Sequence, residues 1–163
     1  MRYSIIIPTY NRRKTLQMTL DSTVDQTIPA NEYEIIIVDD GSTDDTRSVV
    51  EEFIKGHPER AIRYFWQENG GPAKARNRGI HEAKGEYIFF TDDDCVVQET
   101  WMNTLLDGFQ RYPNSWGVGG WYKPGNKELG RLYFQRYIDL IFFECYRFQP
   151  DEAEIQTNVF SAS

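Results

Sequence analysis

The sequence predicts an α/β protein with a mostly parallel sheet flanked by helices. Short apolar runs alternate with segments whose apolar residues recur at helical spacing. Glycine and proline separate these segments, and two of the apolar runs end in clustered aspartates. Repeated strand-then-helix order is typical of βαβ units with right-handed crossovers, which build parallel sheets.

The strands are predicted from runs rich in β-branched and aromatic residues, and they cover residues 3–7, 34–38, 61–66 and 87–91. The helices are predicted from helical spacing between these runs, and they cover residues 13–26, 72–84 and 99–112. A further helix is predicted to begin near Ser42, where Asp45 three residues later resembles a capping box, and to stop at Gly56. Pro72 suits the first position of the helix that follows the Gly70-Gly71 turn.

The last third of the chain is less regular. A glycine-rich strand is predicted over residues 116–121, and a long aromatic helix, buried on both sides, over residues 129–148. We therefore expect a core domain over residues 1–122 and the start of a second, acceptor-side region over residues 123–163. Packing in the core or against the missing half is the favoured role for the aromatic helix, with self-association through it or a membrane-surface position as alternatives.

Composition narrows the class of protein. The chain has 163 residues, 40% of them hydrophobic, which suits a folded domain. A net charge of −7 argues against nucleic-acid binding, and two cysteines make neither a disulfide framework nor a zinc site. Because no signal peptide or membrane-length apolar run is evident, we expect a cytoplasmic protein, with the inner face of the membrane as the alternative location.

Acidic residues mark the candidate site. The triplet Asp92-Asp93-Asp94 ends one apolar run and the pair Asp39-Asp40 ends another. The carboxyl ends of parallel strands meet at one edge of the sheet, where ligands bind. Clustered carboxylates repel one another unless a cation lies among them, so a divalent metal with a phosphate ligand is predicted. The simpler alternative is acidic side chains at helix N-termini, and a plain turn at Gly70-Gly71.

Four segments together resemble the inverting family 2 glycosyltransferases. They are Ser4-Ile5-Ile6-Ile7-Pro8-Thr9-Tyr10-Asn11-Arg12, Glu34-Ile35-Ile36-Ile37-Val38-Asp39-Asp40-Gly41-Ser42-Thr43-Asp44-Asp45-Thr46, Asn69-Gly70-Gly71-Pro72-Ala73-Lys74-Ala75-Arg76-Asn77-Arg78-Gly79 and Gly85-Glu86-Tyr87-Ile88-Phe89-Phe90-Thr91-Asp92-Asp93-Asp94. The resemblance covers roughly the first hundred residues, the nucleotide-binding half, and implies the Rossmann-like GT-A fold with an incomplete acceptor half.

The resemblance also implies roles for individual residues. The nucleotide-sugar would be bound by a set of residues at the strand ends: Pro8, Thr9, Tyr10, Asn11, Asp39, Asp40, Arg76, Asp92 and Asp93. Within it, Asp39 would accept a hydrogen bond from the base. Asp92 would hold the ribose and, together with Asp94, a Mg²⁺ or Mn²⁺ ion that neutralises the leaving diphosphate. A UDP-sugar is the favoured donor, and the acceptor would be a glycan, a lipid or a protein.

The general base of the family has no counterpart among the recognised motifs. We therefore expect it to lie beyond Ser163, and the resemblance implies that the chain is truncated. This leaves two functions: an inverting, metal-assisted glycosyltransferase, or a nucleotide-sugar-binding module without catalysis. A phosphoacceptor receiver domain is disfavoured because its acidic pair would end the first strand. A nucleotidyltransferase is disfavoured because no glycine follows Pro8 in the first loop.

Overall fold

The computed structural model describes residues 1–120 and 143–147. Its six strands form one sheet in the order β3-β2-β1-β4-β6-β5, in which β1 to β4 are mutually parallel and β6 runs antiparallel to both of its neighbours. The strands are β1 (Tyr3–Thr9), β2 (Tyr33–Asp39), β3 (Ile62–Trp66), β4 (Tyr87–Phe90), β5 (Gly117–Gly120) and β6 (Phe143–Arg147). The helices are α1 (Leu16–Val24), α2 (Thr46–Gly56), α3 (Pro72–Glu82) and α4 (Trp101–Arg111).

The predicted mostly parallel sheet is confirmed, and so are its first five strands within one or two residues at most ends. Every residue of β1 and β2 is buried, because helices cover both faces of the sheet. Side chains alternate between two cores. The larger core contains Ile5, Leu20 and Met102, and the smaller core contains Ile6 of β1 and Ala75 of α3.

The capping box predicted at Ser42 and Asp45 is wrong. Helix α2 begins at Thr46, and Asp45 makes no side-chain hydrogen bond as its N-cap. Instead, the carboxylate of Asp44 accepts a hydrogen bond from Thr46 N at 3.0 Å. The hydroxyl of Ser42, four residues before the helix begins, accepts one from the backbone N–H of Asn11, in a different loop.

The long helix predicted over residues 129–148 is wrong at its C-terminal end. Residues Phe143–Arg147 form β6, which pairs with β4 on one side and β5 on the other. Residues 129–142 and 148 lie outside the described residues. Strand β6 comes from the predicted acceptor-side region of the sequence, yet it lies in the same sheet as the strands of residues 1–120. In the part of the chain that the structure describes, no helix has the length and apolar character needed to cross a membrane.

A buried carboxylate organises the end of the sheet at which the parallel strands begin. Glu34 is 1% exposed and accepts hydrogen bonds from Ser4 Oγ and Lys84 N, both at 2.8 Å. Arg63 contacts the same carboxylate at 3.2 Å and donates to the backbone oxygen of Glu82 at 2.7 Å. This network joins β1, β2 and β3 to the C-terminal end of α3.

Gly85→Ala is expected to destabilise the fold. A Cβ at Gly85 would lie 2.5 Å from the carbonyl carbon of Tyr3, a backbone atom that cannot move aside cheaply. We expect the free energy of unfolding in urea to fall by about 1–3 kcal/mol. Gly56→Ala is the control, because nothing lies within 4 Å of the added methyl group. The control should be neutral or stabilising by up to about 1 kcal/mol; equal losses in the two variants would contradict the steric explanation.

Candidate functional site

The candidate site lies where β1, β2 and β4 end. These three strands are neighbours in the sheet, and Thr9 at the end of β1 is in register with Asp39 at the end of β2. Strand β4 is parallel to β1, so the loop after Phe90 leaves the sheet at the same edge. The topology therefore brings together the loops that carry the predicted site residues.

The predicted site residues fall into two sets that differ in exposure. Exposed or partly exposed members can meet a ligand directly: Tyr10, Asn11, Arg76, Asp92 and Asp94. Buried members are enclosed by the protein: Pro8, Thr9, Asp39, Asp40 and Asp93. Within the second set, the hydrogen bonds of Asp39 and Asp40 hold the loops in place.

Asn11 joins the loop after β1 to the loop after β2. Its backbone has a φ of 53°, in the left-handed region that asparagine tolerates better than most residues. The Asn11 backbone N–H donates to Ser42 Oγ at 2.9 Å, and its side-chain oxygen accepts a hydrogen bond from Thr43 N at 2.8 Å. Arg13 and Asp45 add an ion pair between the same two loops. The two loops therefore form one unit.

Asp39 is fully buried, at 0% exposure, and both of its carboxylate oxygens have partners. Oδ1 accepts a hydrogen bond from Ser42 N at 2.7 Å, and Oδ2 accepts one from the hydroxyl of Tyr64 at 2.6 Å. Burial, followed by the hydrogen bond to Asp39, raises the pKa of Tyr64 well above its ordinary value. Tyr64 thus stays protonated and serves as a permanent donor to Asp39.

Asp40 points to the turn that precedes α3. Its carboxylate accepts hydrogen bonds from the backbone of Gly70 and Gly71 and from the side-chain amide of Gln67. The glycine turn is therefore bound by the chain's own carboxylate.

Among the predicted site residues, the accessible carboxylates are on the loop after β4. Asp92 Oδ1 lies 2.6 Å from Arg76 Nη2 on α3, and the Asp92 side chain is still 49% exposed. Asp94 is exposed. A guanidinium is thus already paired with one of the two predicted metal ligands, which shows that this position suits a cation.

Asp93 is turned inward, between the other two aspartates of the triplet. Burial is the largest influence and raises the pKa of its carboxyl group. Two neighbouring groups lower that pKa, but by less than burial raises it: the Thr9 hydroxyl and the Arg12 guanidinium. The Arg12 Nε lies 3.8 Å from Asp93 Oδ1, and the Thr9 hydroxyl makes no hydrogen bond of ordinary geometry. Burial therefore makes the charged form of Asp93 less favourable in the folded protein than in the unfolded chain.

Asp93→Asn is expected to stabilise the protein at neutral pH. A carboxyl group whose pKa is raised on folding favours the folded state only when protonated, and this contribution is lost as the pH rises through the folded-state pKa. The variant should therefore unfold at a higher temperature than the wild type at pH 7, and the difference should shrink below pH 4, near the ordinary pKa of aspartate. Thermal unfolding followed by circular dichroism measures both. A variant less stable than the wild type at pH 7 would show that the hydrogen bonds of Asp93 outweigh its burial.

Sequence reasoning missed Tyr64 and Gln67 as partners of the acidic pair. Tyr64 is in register with Ile37, two residues before Asp39, so its side chain is on the same face of the sheet as Asp39. The sequence signal for this contact was a tyrosine near the end of the predicted strand that follows the acidic pair. Gln67 follows β3 directly and donates to Asp40 at 2.6 Å, a contact that needs the strand order to be known.

Within residues 1–120 and 143–147, no three histidine, cysteine, aspartate or glutamate side chains are grouped to hold a metal ion by themselves. Asp92 and Asp94 nevertheless fit one. They supply hard oxygen ligands, which Mg²⁺ and Mn²⁺ prefer, and such ions usually complete their coordination with substrate phosphates and water.

Comparison with known proteins agrees with this geometry. The profile of Glycosyl transferase family 2 matches residues 4–162. The poly(ribitol-phosphate) beta-glucosyltransferase of Bacillus spizizenii is 43% identical over 97 residues, which is 60% of this chain and 15% of that protein. The glycosyltransferase GlyG of Streptococcus pneumoniae is 36% identical over 132 residues, covering 80% of this chain and 42% of GlyG.

Two solved structures share the fold. Residues 1–349 of TarS from S. aureus in complex with UDP-GlcNAc superpose with a TM-score of 0.68 at 28% identity, covering 90% of this chain and 45% of that one. The mannosyltransferase PcManGT from Pyrobaculum calidifontis, in complex with GDP-Man and Mn²⁺, superposes with a TM-score of 0.64 at 30% identity. The match covers 66% of this chain and 32% of PcManGT. The chain thus spans less than half the length of these relatives.

The parallel sheet, the acidic edge and the family match lead to one conclusion. This chain has the GT-A fold and belongs to glycosyl transferase family 2.

Proposed function

We propose that this chain is the donor-binding part of an inverting glycosyltransferase that takes a sugar from a nucleotide diphosphate donor with the help of a divalent metal. The observation that carries the proposal is the meeting of Tyr10, Arg76, Asp92 and Asp94, all accessible, at one edge of the sheet. An exposed aromatic ring, a guanidinium and two carboxylates are the groups needed for a base, a diphosphate and its metal ion.

The two accessible carboxylates would hold the metal ion. Asp92 and Asp94 would supply the protein ligands, and Asp92 would also hold the ribose. Bound there, a Mg²⁺ or Mn²⁺ ion would act as a Lewis acid toward the diphosphate leaving group. Because Asp92 is already within 2.6 Å of Arg76, the guanidinium must share or give up this carboxylate when the donor binds.

Arg76 is placed to stabilise negative charge on the donor. It is on α3, one turn after the helix begins, with its side chain 34% exposed. Negative charge grows on the diphosphate as the bond from the sugar carbon to the phosphate oxygen breaks. A fixed guanidinium nearby lowers the energy of that state without having to reorganise. Lys74, exposed and on the same helix, is the second cation near the turn.

The base would be bound at the exits of β1 and β2. Tyr10, 47% exposed, offers a ring on which a base can stack, and Asn11 holds the neighbouring loop in place. Asp39 is enclosed, so it would accept a hydrogen bond from a base N–H only after Tyr64 or the Ser42 loop moves aside; its carboxylate has lone pairs beyond those that Ser42 and Tyr64 use. A UDP-sugar is the preferred donor in this proposal, since TarS is known in complex with UDP-GlcNAc.

Inversion requires a single in-line attack by an acceptor hydroxyl that loses its proton to a general base. None of the aspartates described above is proposed for that step. Transfer to a glycan, lipid or protein acceptor is the proposed activity of the whole protein, in the cytoplasm. If the chain binds donors without transfer, the alternative of a nucleotide-sugar-binding module is the better description.

The test is a binding comparison by calorimetry. UDP, GDP and ADP are titrated into the protein in the presence of Mn²⁺, of Mg²⁺ and of EDTA. We expect UDP to bind most tightly and all binding to weaken by at least about tenfold in EDTA. Equal affinity for UDP with Mn²⁺ and with EDTA would refute the metal-assisted proposal, and no binding of any of the three nucleotides would refute the donor site.

A further inference from the structure

We propose that β3 is an interaction surface at which a second copy of this chain joins the sheet, with the two β3 strands antiparallel and centred on Tyr64. Among the described strands, β3 lies at one side of the sheet and pairs only with β2. The inference rests on the backbone groups, side chains and charges that β3 presents at its open side. It is independent of the proposed function.

The backbone groups of β3 alternate between its two sides. Gln67 N donates to Asp39 O at 2.9 Å, and Ala61 O accepts a hydrogen bond from Ile35 N at the same distance. In a parallel ladder the direction changes at each residue, so the odd-numbered residues of β3 face β2 and the even-numbered residues face the open side. Three residues therefore direct their N–H and C=O groups away from the sheet: Ile62, Tyr64 and Trp66.

Most of these outward groups lack a partner in the part of the chain that the structure describes. No hydrogen bond reaches the backbone N–H or C=O of Tyr64 or Trp66 from the open side. The Ile62 N–H is the exception, because it donates to Arg60 O at 3.0 Å. Backbone polar groups need water or another strand as a partner. The side chains of β3 are partly exposed, and that of Trp66 is 53% exposed, so this edge is accessible.

Apart from its length of five residues, β3 lacks the features that usually prevent an edge strand from pairing. Such strands commonly carry free charged side chains or proline at the edge. The one charged residue of β3 is Arg63, and its guanidinium is occupied within the subunit. It lies 3.2 Å from Glu34 and from Glu82, and 4.9 Å from the centre of the Phe65 ring. The exposed side chain at the end of the strand is the indole of Trp66.

The outward residues of β3 are complementary to their own copy. An antiparallel pair centred on Tyr64 sets Tyr64 opposite Tyr64 and Ile62 opposite Trp66. The two Tyr64 residues then exchange both of their N–H···O bonds, and each Trp66 N–H meets an Ile62 C=O. The side chains of Ile62 and Trp66 are on the same face of the sheet, so each exposed indole gains an apolar neighbour from the other copy.

Charges just outside β3 favour the same register. Arg60 precedes β3 by two residues and Glu68 follows it by two, so pairing centred on Tyr64 places each Arg60 opposite the Glu68 of the other copy. Glu68 is exposed, and the side chain of Arg60 is partly exposed. Opposite charges that face each other across an antiparallel pair are favourable. This self-complementarity identifies the occupant of the edge as a second copy and not an unrelated peptide.

The paired dimer keeps both candidate sites accessible. Its two-fold axis reverses the direction of the strands, so the ends of β1, β2 and β4 that carry the two sites lie at opposite ends of the joined sheet. Neither site then needs the other copy, and dimer formation can be measured without any ligand.

The first experiment measures association by sedimentation velocity at protein concentrations from about 1 µM to about 200 µM, a range suited to a small interface. We expect the wild type to pass from monomer to dimer. Trp66→Lys should weaken association by at least about tenfold, because it replaces the apolar contact with a charge at the edge. Trp116→Lys is the control, since this indole is 59% exposed beside β5 and the charge change is the same.

The control should associate as the wild type does, and circular dichroism verifies that both variants are folded. A wild type that is monomeric over the whole range would overturn the proposal. A dimer that survives unchanged in Trp66→Lys would also overturn it, because the contact would then lie elsewhere on the chain.

The second experiment locates the contact by hydrogen exchange of backbone amides, followed by NMR at low and high protein concentration. The N–H groups of Arg63 and Phe65 face β2 and should be protected at both concentrations. Those of Tyr64 and Trp66 should exchange at least about tenfold more slowly at the high concentration than at the low one. If Tyr64 and Trp66 exchange at the same rate in monomer and dimer, β3 is not the interface.

The third experiment tests the register by oxidation of the double variant Ile62→Cys/Trp66→Cys. Residues opposite each other in a hydrogen-bonded antiparallel pair have Cα atoms about 5.5 Å apart, which suits a disulfide. We expect a covalent dimer in which peptide mapping joins position 62 of one copy to position 66 of the other. The single variant Trp66→Cys is the control and should give no bond between the two β3 strands. Bonds that join 62 to 62 or 66 to 66 would overturn the antiparallel register.

Discussion

Asp94→Ala is expected to remove most of the metal dependence of UDP binding, the largest effect that we predict for a single substitution. Asp94 is exposed on the loop after β4, and Asp92, the other proposed ligand, is shared with Arg76. If these two carboxylates are the protein ligands, loss of one removes half of the protein's share of the coordination. Since indirect partners of a metal ligand already contribute 10- to 100-fold to metal affinity, we expect a loss of at least about 100-fold in UDP affinity with Mn²⁺.

The measurement is calorimetry with Mn²⁺ and with EDTA for the wild type, Asp94→Ala and Asp107→Ala. Asp107 is an exposed aspartate on α4, so its replacement makes the same change in net charge away from the site. The control should behave as the wild type does. A Mn²⁺ effect that survives in Asp94→Ala would exclude Asp94 as a metal ligand, and an equal loss in Asp107→Ala would show that only the overall charge matters.

Asp39→Asn should weaken UDP binding by about 1–3 kcal/mol, the cost of spoiling a charge-assisted hydrogen bond. An amide retains one oxygen, so it cannot accept from Ser42 and Tyr64 and also from a base N–H as a carboxylate does. Part of the effect will appear as lost stability, because Asp39 is fully buried. Urea unfolding measured beside calorimetry separates the two parts.

Tyr64→Phe is the matched control for Asp39. It removes one donor to Asp39 and leaves the carboxylate in place. If Asp39 contacts the base, Asp39→Asn should lose much more UDP affinity than Tyr64→Phe. Equal losses, in proteins shown to be folded, would limit Asp39 to holding the Ser42 loop.

The central strands could be predicted because their own residues are apolar, as expected for strands that are buried on both faces. The run Ile5-Ile6-Ile7 in β1 and the run Ile35-Ile36-Ile37 in β2 are apolar without interruption, as strands covered on both faces must be. The acidic residues that follow β2 and β4 lie at one edge of the sheet, as the direction of parallel strands predicts. Both inferences need only local sequence and the known direction of parallel strands.

Strand β6 could not be predicted in the same way. Its residues Phe143–Arg147 adjoin an aromatic stretch whose spacing is compatible with a helix, and they are a strand because β4 and β5 flank them. Tertiary pairing overrides local preference in such cases. The separation of the aspartates into buried and accessible sets has the same origin: the partners of Asp40 are 27 to 31 residues further along the chain, after another helix and strand.

The place of β6 in the sheet has a consequence for the order in which the protein can fold. A ribosome delivers β4 well before β6, and until β6 arrives the side of β4 that faces away from β1 has unpaired backbone groups. Among the described strands, β5 pairs only with β6, so it too must wait. Open strand edges are sites where chains pair wrongly with one another. A version of this protein cut after residue 120 would keep the strand that leads to Asp92 and Asp94 but leave its edge open, so expression boundaries and fusion points belong beyond Arg147.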